Sequence, residues 1–185
     1  MNKVVFLSLL FLAGCVFVQP LTEQEKAQLE NPSQDTLVRI DKILDEAVLF
    51  VRKSETEVLS DGKRLNPEEI EYASKLGINQ PERIRIKYAR KFPIPENKAL
   101  LKEFKELGFG SWFEGGRTNG YGIFIKPRFA KNKSIIEHEL VHVLQMQRMG
   151  LQAFLKQYLI EAMTVNYFNM PLEVEAFEKT AGDKF

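Results

Sequence analysis

Cysteine and histidine are almost missing from this chain. The only cysteine is Cys15, so a scaffold stapled by intramolecular disulfides is excluded. Histidine occurs twice, at His138 and His142, and both fall in one pentapeptide. Charge of one sign is also lacking. The 26 Lys and Arg residues face 25 Asp and Glu, a formal net charge of +1, which argues against a nucleic-acid binder that works through a strong positive field. Long hydrophobic runs are short of a membrane span: Val4 to Ala13, broken only by Ser8, rises about 15 Å as a helix, half of a bilayer core. What remains is the composition of an ordinary globular protein, 44% apolar and 28% charged, in 185 residues that suit one domain.

The apolar run follows a short basic start, Met1-Asn2-Lys3, and fits the h-region of a secretory signal. It ends Leu12-Ala13-Gly14-Cys15, which resembles a bacterial lipobox. That resemblance implies cleavage after residue 14, lipidation of Cys15, and an extracytoplasmic protein held on a membrane of the cell envelope by acyl chains. Val16 follows the cysteine, so retention in an inner membrane by an Asp signal is not indicated. Residues 15–35 read as the lipidated cysteine and a polar tether, and residues 36–185 as a single domain.

Within that domain, Leu37, Ile40, Ile43, Leu44, Ala47, Val48 and Val51 recur at helical steps and predict one helix from Thr36 to about Leu59. Asn66-Pro67-Glu68-Glu69 is a capping box that starts a helix ending near Leu76. Arg83 to Tyr88 alternates like a strand, and Glu96 to Leu107 reads as a helix. A glycine-rich stretch follows, in which Gly115 to Gly120 suits a tight turn and Tyr121 to Lys126 a strand. Trp112, Phe109 and Phe113 are expected in the core. The basic run Lys126 to Lys133 reads as a solvated loop. Helices are expected at Ser134 to Met149, with Ser134 and Glu137 as a capping box, at Leu151 to about Phe168, and at Leu172 to Ala181. The fold class is α+β: a small antiparallel or mixed central sheet followed by a C-terminal block of helices.

Residues 138–142 read His-Glu-Leu-Val-His. One helical turn separates the histidines, so both imidazoles leave one face, and Glu139 falls inside the same arc. Two neutral imidazoles at that spacing suit two corners of a zinc tetrahedron, with the carboxylate offset to serve as general base toward water. Two histidines placed at random fall four apart with Glu after the first in about one arrangement in a thousand, so coincidence is a poor explanation. A third ligand is needed. No other histidine or domain cysteine exists, which leaves a carboxylate: Glu161, Glu173, Glu175 or Glu178.

The chain resembles a zinc metallopeptidase of the gluzincin type, in which a His-Glu-x-x-His helix is completed by a Glu from a later helix. In several such groups that Glu opens a Glu-x-x-Ala pattern, as Glu173-Val174-Glu175-Ala176 does here. The resemblance implies a zincin-like fold and one zinc ion. It also implies ligands His138, His142 and Glu173, with Glu175 as the fallback, Glu139 as catalytic base, and a peptide or protein substrate. Such peptidases often carry an Asp after that Ala to orient a ligand histidine; this chain has Phe177. The strand Gly120 to Ile125 is either a substrate-binding strand or a plain core strand. An oxyanion donor would come from Tyr121, Tyr158, Tyr167, Arg117 or Arg148. A membrane-anchored zinc peptidase is therefore expected. Its rivals are a non-catalytic zinc-binding lipoprotein and a zinc hydrolase of cell-wall amide bonds.

Overall fold

A computed structural model describes residues 20–181. The stretch expected to be a signal segment, and Cys15, lie outside the described residues. The architecture of the described residues is α+β: eight α-helices around a small four-stranded mixed sheet.

The chain enters through α1 (Glu23–Glu30), α2 (Gln34–Asp41) and α3 (Leu44–Asp61). Of the described part of the segment read as tether, residues 20–35, ten of sixteen residues are thus helical. Thr22 accepts from Glu25 N–H and Glu25 reaches back to the Thr22 N–H, a complete capping box. The single helix expected from residue 36 to 59 is two helices. At Lys42 and Ile43 the regular ladder gives way to a bond from Ile43 N–H to Ile40 C=O. Across the break Ile40, Ile43, Leu44 and Ala47, spaced i, i+3, i+4 and i+7, still share one core with Leu100, Leu159 and Ile160.

After β1 (Lys63–Arg64) comes α4 (Pro67–Lys75), begun by the expected reciprocal bonds between Asn66 and Glu69. Then follow β2 (Arg85–Tyr88), α5 (Lys98–Glu106), the hairpin β3 (Gly116–Asn119) and β4 (Gly122–Ile125), and three helices: α6 (Lys133–Met149), α7 (Leu151–Thr164) and α8 (Pro171–Ala181). The sheet order is β1-β2-β4-β3, with β2 and β4 parallel and the other pairs antiparallel. Each residue of β4 is buried, because the strand has helices on both faces. Ile123 and Ile125 meet Ile136, Leu140 and Val143 of α6 on one side. Phe124 meets Val58 of α3 and Phe92 on the other. Each such side chain contributes about 1.5–3 kcal/mol by burial, so β4 is the element that clamps α6 in place.

Three further expectations are corrected. α6 is capped by Asn132, whose side chain accepts from Ile135 N–H, which leaves Ser134 inside the first turn. α7 ends at Thr164 and a 3₁₀ turn, Tyr167–Asn169, precedes α8. Trp112 is 69% exposed, its ring against Phe113 and the Arg128 guanidinium, so it is no core residue. No described helix is long and apolar enough to cross a membrane.

Candidate metal centre

The α6 helix lies between the sheet and α8, and its two faces carry different chemistry. Leu140 and Val143 turn to the sheet. His138, His142 and Gln145 turn to α8, where Glu173 sits in the first turn. All three members of the cluster are buried: His138 and His142 are 8% and 7% exposed, and Glu173 only 1%. A buried carboxylate is unfavourable unless its charge is met, and here two imidazoles meet it.

The donor atoms converge. His138 Nε2 lies 3.1 Å from Glu173 Oε2 and 3.2 Å from His142 Nε2, and His142 Nε2 lies 3.5 Å from Glu173 Oε1. A tetrahedral zinc ion with bonds of about 2.0–2.1 Å sets its ligand atoms about 3.3 Å apart, so the observed triangle has the size that the ion requires. Two imidazole nitrogens and one carboxylate are also a donor set suited to zinc. The residues present therefore fit the group, and His138, His142 and Glu173 form a cluster that could hold a metal.

The surroundings fix each side chain. Tyr158 O–H donates to Glu173 Oε1 at 2.6 Å. Glu161, itself 1% exposed, accepts the Leu172 N–H at 2.9 Å and so secures the start of α8 one residue before Glu173. Phe177 stands where the resemblance would have an Asp, and its ring packs on His138 with centroids 4.7 Å apart. Gln145 is the neighbour of His142 Nδ1, at 2.8 Å.

Glu139 points from α6 toward the edge strand. Its Oε2 accepts from Thr118 Oγ1 at 2.7 Å. Gly116 on the same strand leaves the carboxylate its space: a Cβ there would lie 2.4 Å from Glu139 Oε1. Among the described residues strand β3 pairs only with β4, so its outer side is a free edge of the sheet beside Glu139. Of the two readings left open for Gly120 to Ile125, the core strand holds: β4 has partners on both sides.

The electrostatics are those of a compact buried cluster. Burial raises the Glu139 carboxyl above its usual range, opposed by His142, His138 and the Thr118 hydroxyl. Burial favours neutral His142, but the Glu173 charge and hydrogen bond, then Glu139, outweigh it and raise the imidazole to about 9. Burial likewise works against ionised Glu173, and His142 with His138 overcomes it and holds the carboxyl well below the usual carboxylate range. Burial, then the Glu173 charge, pushes the Tyr158 hydroxyl well up.

The other sequence candidates are engaged elsewhere. Glu175 makes paired contacts with Arg148 at 2.8 and 2.9 Å and is not in the cluster, which also removes Arg148 as a free donor. Arg117 is held by Glu114 and the Pro93 carbonyl. Tyr121 O–H donates to Asn79 C=O, so it is not an oxyanion donor here. Tyr158 stands at Glu173, whereas Tyr167 is 46% exposed. Sequence reasoning missed Thr118, Gly116, Gln145 and the role of Glu161. Only Gln145 carried a local signal, lying three residues after His142 on the same helical face.

Neither a known protein family, a curated protein nor a solved structure matches this chain.

Proposed function

We propose that the protein is a zinc-dependent hydrolase of peptide bonds. The single observation that carries this reading is the buried triangle of His138, His142 and Glu173, with the Glu139 carboxylate beside it on the same helix. A zinc ion held there would polarise a carbonyl and make a water acidic near neutral pH. Glu139 takes the proton of the attacking water on its carboxylate and delivers it to the leaving amine nitrogen. The Thr118 hydroxyl holds the Glu139 carboxylate for that exchange. The Tyr158 hydroxyl holds Glu173, and Tyr167 supplies a hydroxyl on the same side for the developing oxyanion. The free edge of β3 receives an extended peptide as an added strand, which brings the bond to be cut past Glu139. The Leu-Ala-Gly-Cys motif supports a lipid-anchored protein on the outer side of a bacterial membrane.

The test is hydrolysis of a mixed library of quenched fluorescent peptides by the zinc-loaded protein, with Glu139→Gln as control. Cleavage by wild type, lost in Glu139→Gln while zinc is retained, supports the reading. The burial of Glu139, 5% exposed, favours a second reading, a zinc-binding module without catalysis. Zinc binding with no cleavage of any library member would select it.

A further inference from the structure

Gln145 has no solvent-exposed surface, yet it is polar on every side. Three groups surround its amide. The Leu172 carbonyl is 2.8 Å from Nε2, and Glu175 Oε2 is 3.0 Å from Nε2. His142 Nδ1 is 2.8 Å from Oε1. Two of the three neighbours can only accept: a backbone carbonyl, and a carboxylate already ion-paired with Arg148. The amide nitrogen must therefore face them, so the amide oxygen must face His142. An oxygen at 2.8 Å from Nδ1 needs a hydrogen there. Neutral His142 is thereby held as the Nδ1–H tautomer, and its Nε2 lone pair points at His138 and Glu173.

The same amide also ties two elements together. Leu172 directly precedes Glu173, so the bond from Gln145 Nε2 to Leu172 C=O fixes the first turn of α8 against α6. Glu161 holds the N–H of that residue, and Gln145 holds its carbonyl. On the α8 side the Phe177 ring packs on His138, with centroids 4.7 Å apart.

We propose that Gln145 is the positioning residue of the metal centre. It sets the tautomer of His142 and the placement of Glu173 with one side chain. The inference rests on the reading of His138, His142 and Glu173 as metal ligands. Removing a partner that orients a ligand histidine weakens metal affinity 10- to 100-fold in comparable sites. The loss here falls at the upper end, because two ligands are loosened together.

The experiment compares wild type, Gln145→Met and Gln145→Glu, using zinc alone as the probe in competition with a chromophoric chelator. Met fills the volume without hydrogen bonds. Glu keeps an acceptor for His142 and loses the amide donors. Long-range proton–nitrogen spectra of the imidazoles report tautomer and Nδ1–H protection, and a chain with two histidines gives few signals to assign. The expected result is a slowly exchanging Nδ1–H on His142 in zinc-loaded wild type and Gln145→Glu. Gln145→Met is expected to lose it, bind zinc 10- to 100-fold more weakly and keep its helical circular dichroism. Zinc affinity of Gln145→Met within threefold of wild type overturns the inference and leaves the metal centre standing. Failure of wild type to bind zinc overturns both.

Discussion

On the proposed hydrolase function, Gly116 is the position where one methyl group would separate metal binding from catalysis. In Gly116→Ala the new Cβ lies 2.4 Å from Glu139 Oε1, 2.8 Å from Cδ and 2.9 Å from Cγ. Ordinary contacts begin at about 3.4 Å, so the carboxylate must retreat by about 1 Å. It is 5% exposed and hydrogen-bonded to Thr118, so it cannot swing into solvent. Overpacking of this kind costs about 1–3 kcal/mol of stability. Misplacing a catalytic group by about 1 Å costs about 100-fold in rate, or about 2.7 kcal/mol of barrier. Glycine 116 does not touch His138, His142 or Glu173 in its nearest contacts, so zinc stays bound. The assay pairs zinc stoichiometry and chemical denaturation with peptide hydrolysis. A variant that keeps zinc and the wild-type rate refutes the placement of Glu139 against β3. A variant that loses zinc refutes the separation of base from ligands.

Three other predictions concern the cluster and the residue that seats it. In the metal-free protein His142 titrates near 9, so below that pH zinc must displace a proton. Zinc affinity should rise up to tenfold per pH unit from 6.5 and flatten above about 9, as read by competition titration. Metal-free stability runs the other way. The raised His142 contributes most below its unfolded value of 6.5 and loses that contribution as pH rises through about 9. The depressed Glu173 contributes above its unfolded value of 4.5 and loses it in acid. Metal-free denaturation midpoints should therefore be highest between about pH 4.5 and 6.5 and fall toward pH 9, and a flat profile refutes the ion pairing. Glu161→Ala removes the acceptor of the buried Leu172 N–H, which should lower stability by about 1–3 kcal/mol and weaken zinc binding through Glu173. Unchanged denaturation and zinc competition curves would refute that role.

Legibility in the sequence followed the range of the interactions. The His-Glu-Leu-Val-His spacing and the Asn66–Glu69 cap are local, within four residues, and stand in the structure as their periodicity implies. The Thr22–Glu25 capping box was equally local, but the polar composition around it masked a helix. Glu173 and Glu175 lie two residues apart, about 200° around a helix. Which one meets the histidines is decided by the seating of α8, which depends on Glu161 and Gln145 holding Leu172. That is tertiary information. The break between α2 and α3 left no mark on the pattern, since apolar spacing runs unbroken through Ile40, Ile43 and Leu44. Thr118 and Gly116 reach Glu139 only after the hairpin forms and α6 packs on it, a separation of 21 residues for Thr118. Trp112 looked like core by residue type, yet it rests on a surface guanidinium.

The most direct test of the metal centre is zinc K-edge X-ray absorption on the loaded protein, with stoichiometry measured on the same sample. One zinc per chain is expected, with two imidazole nitrogens at about 2.0–2.1 Å, oxygen donors at about 2.0–2.2 Å and no sulfur. In Glu173→Ala the ion should be lost or lose an oxygen donor. No zinc in wild type, or a shell with a single imidazole, would contradict the assignment of His138, His142 and Glu173 as its ligands.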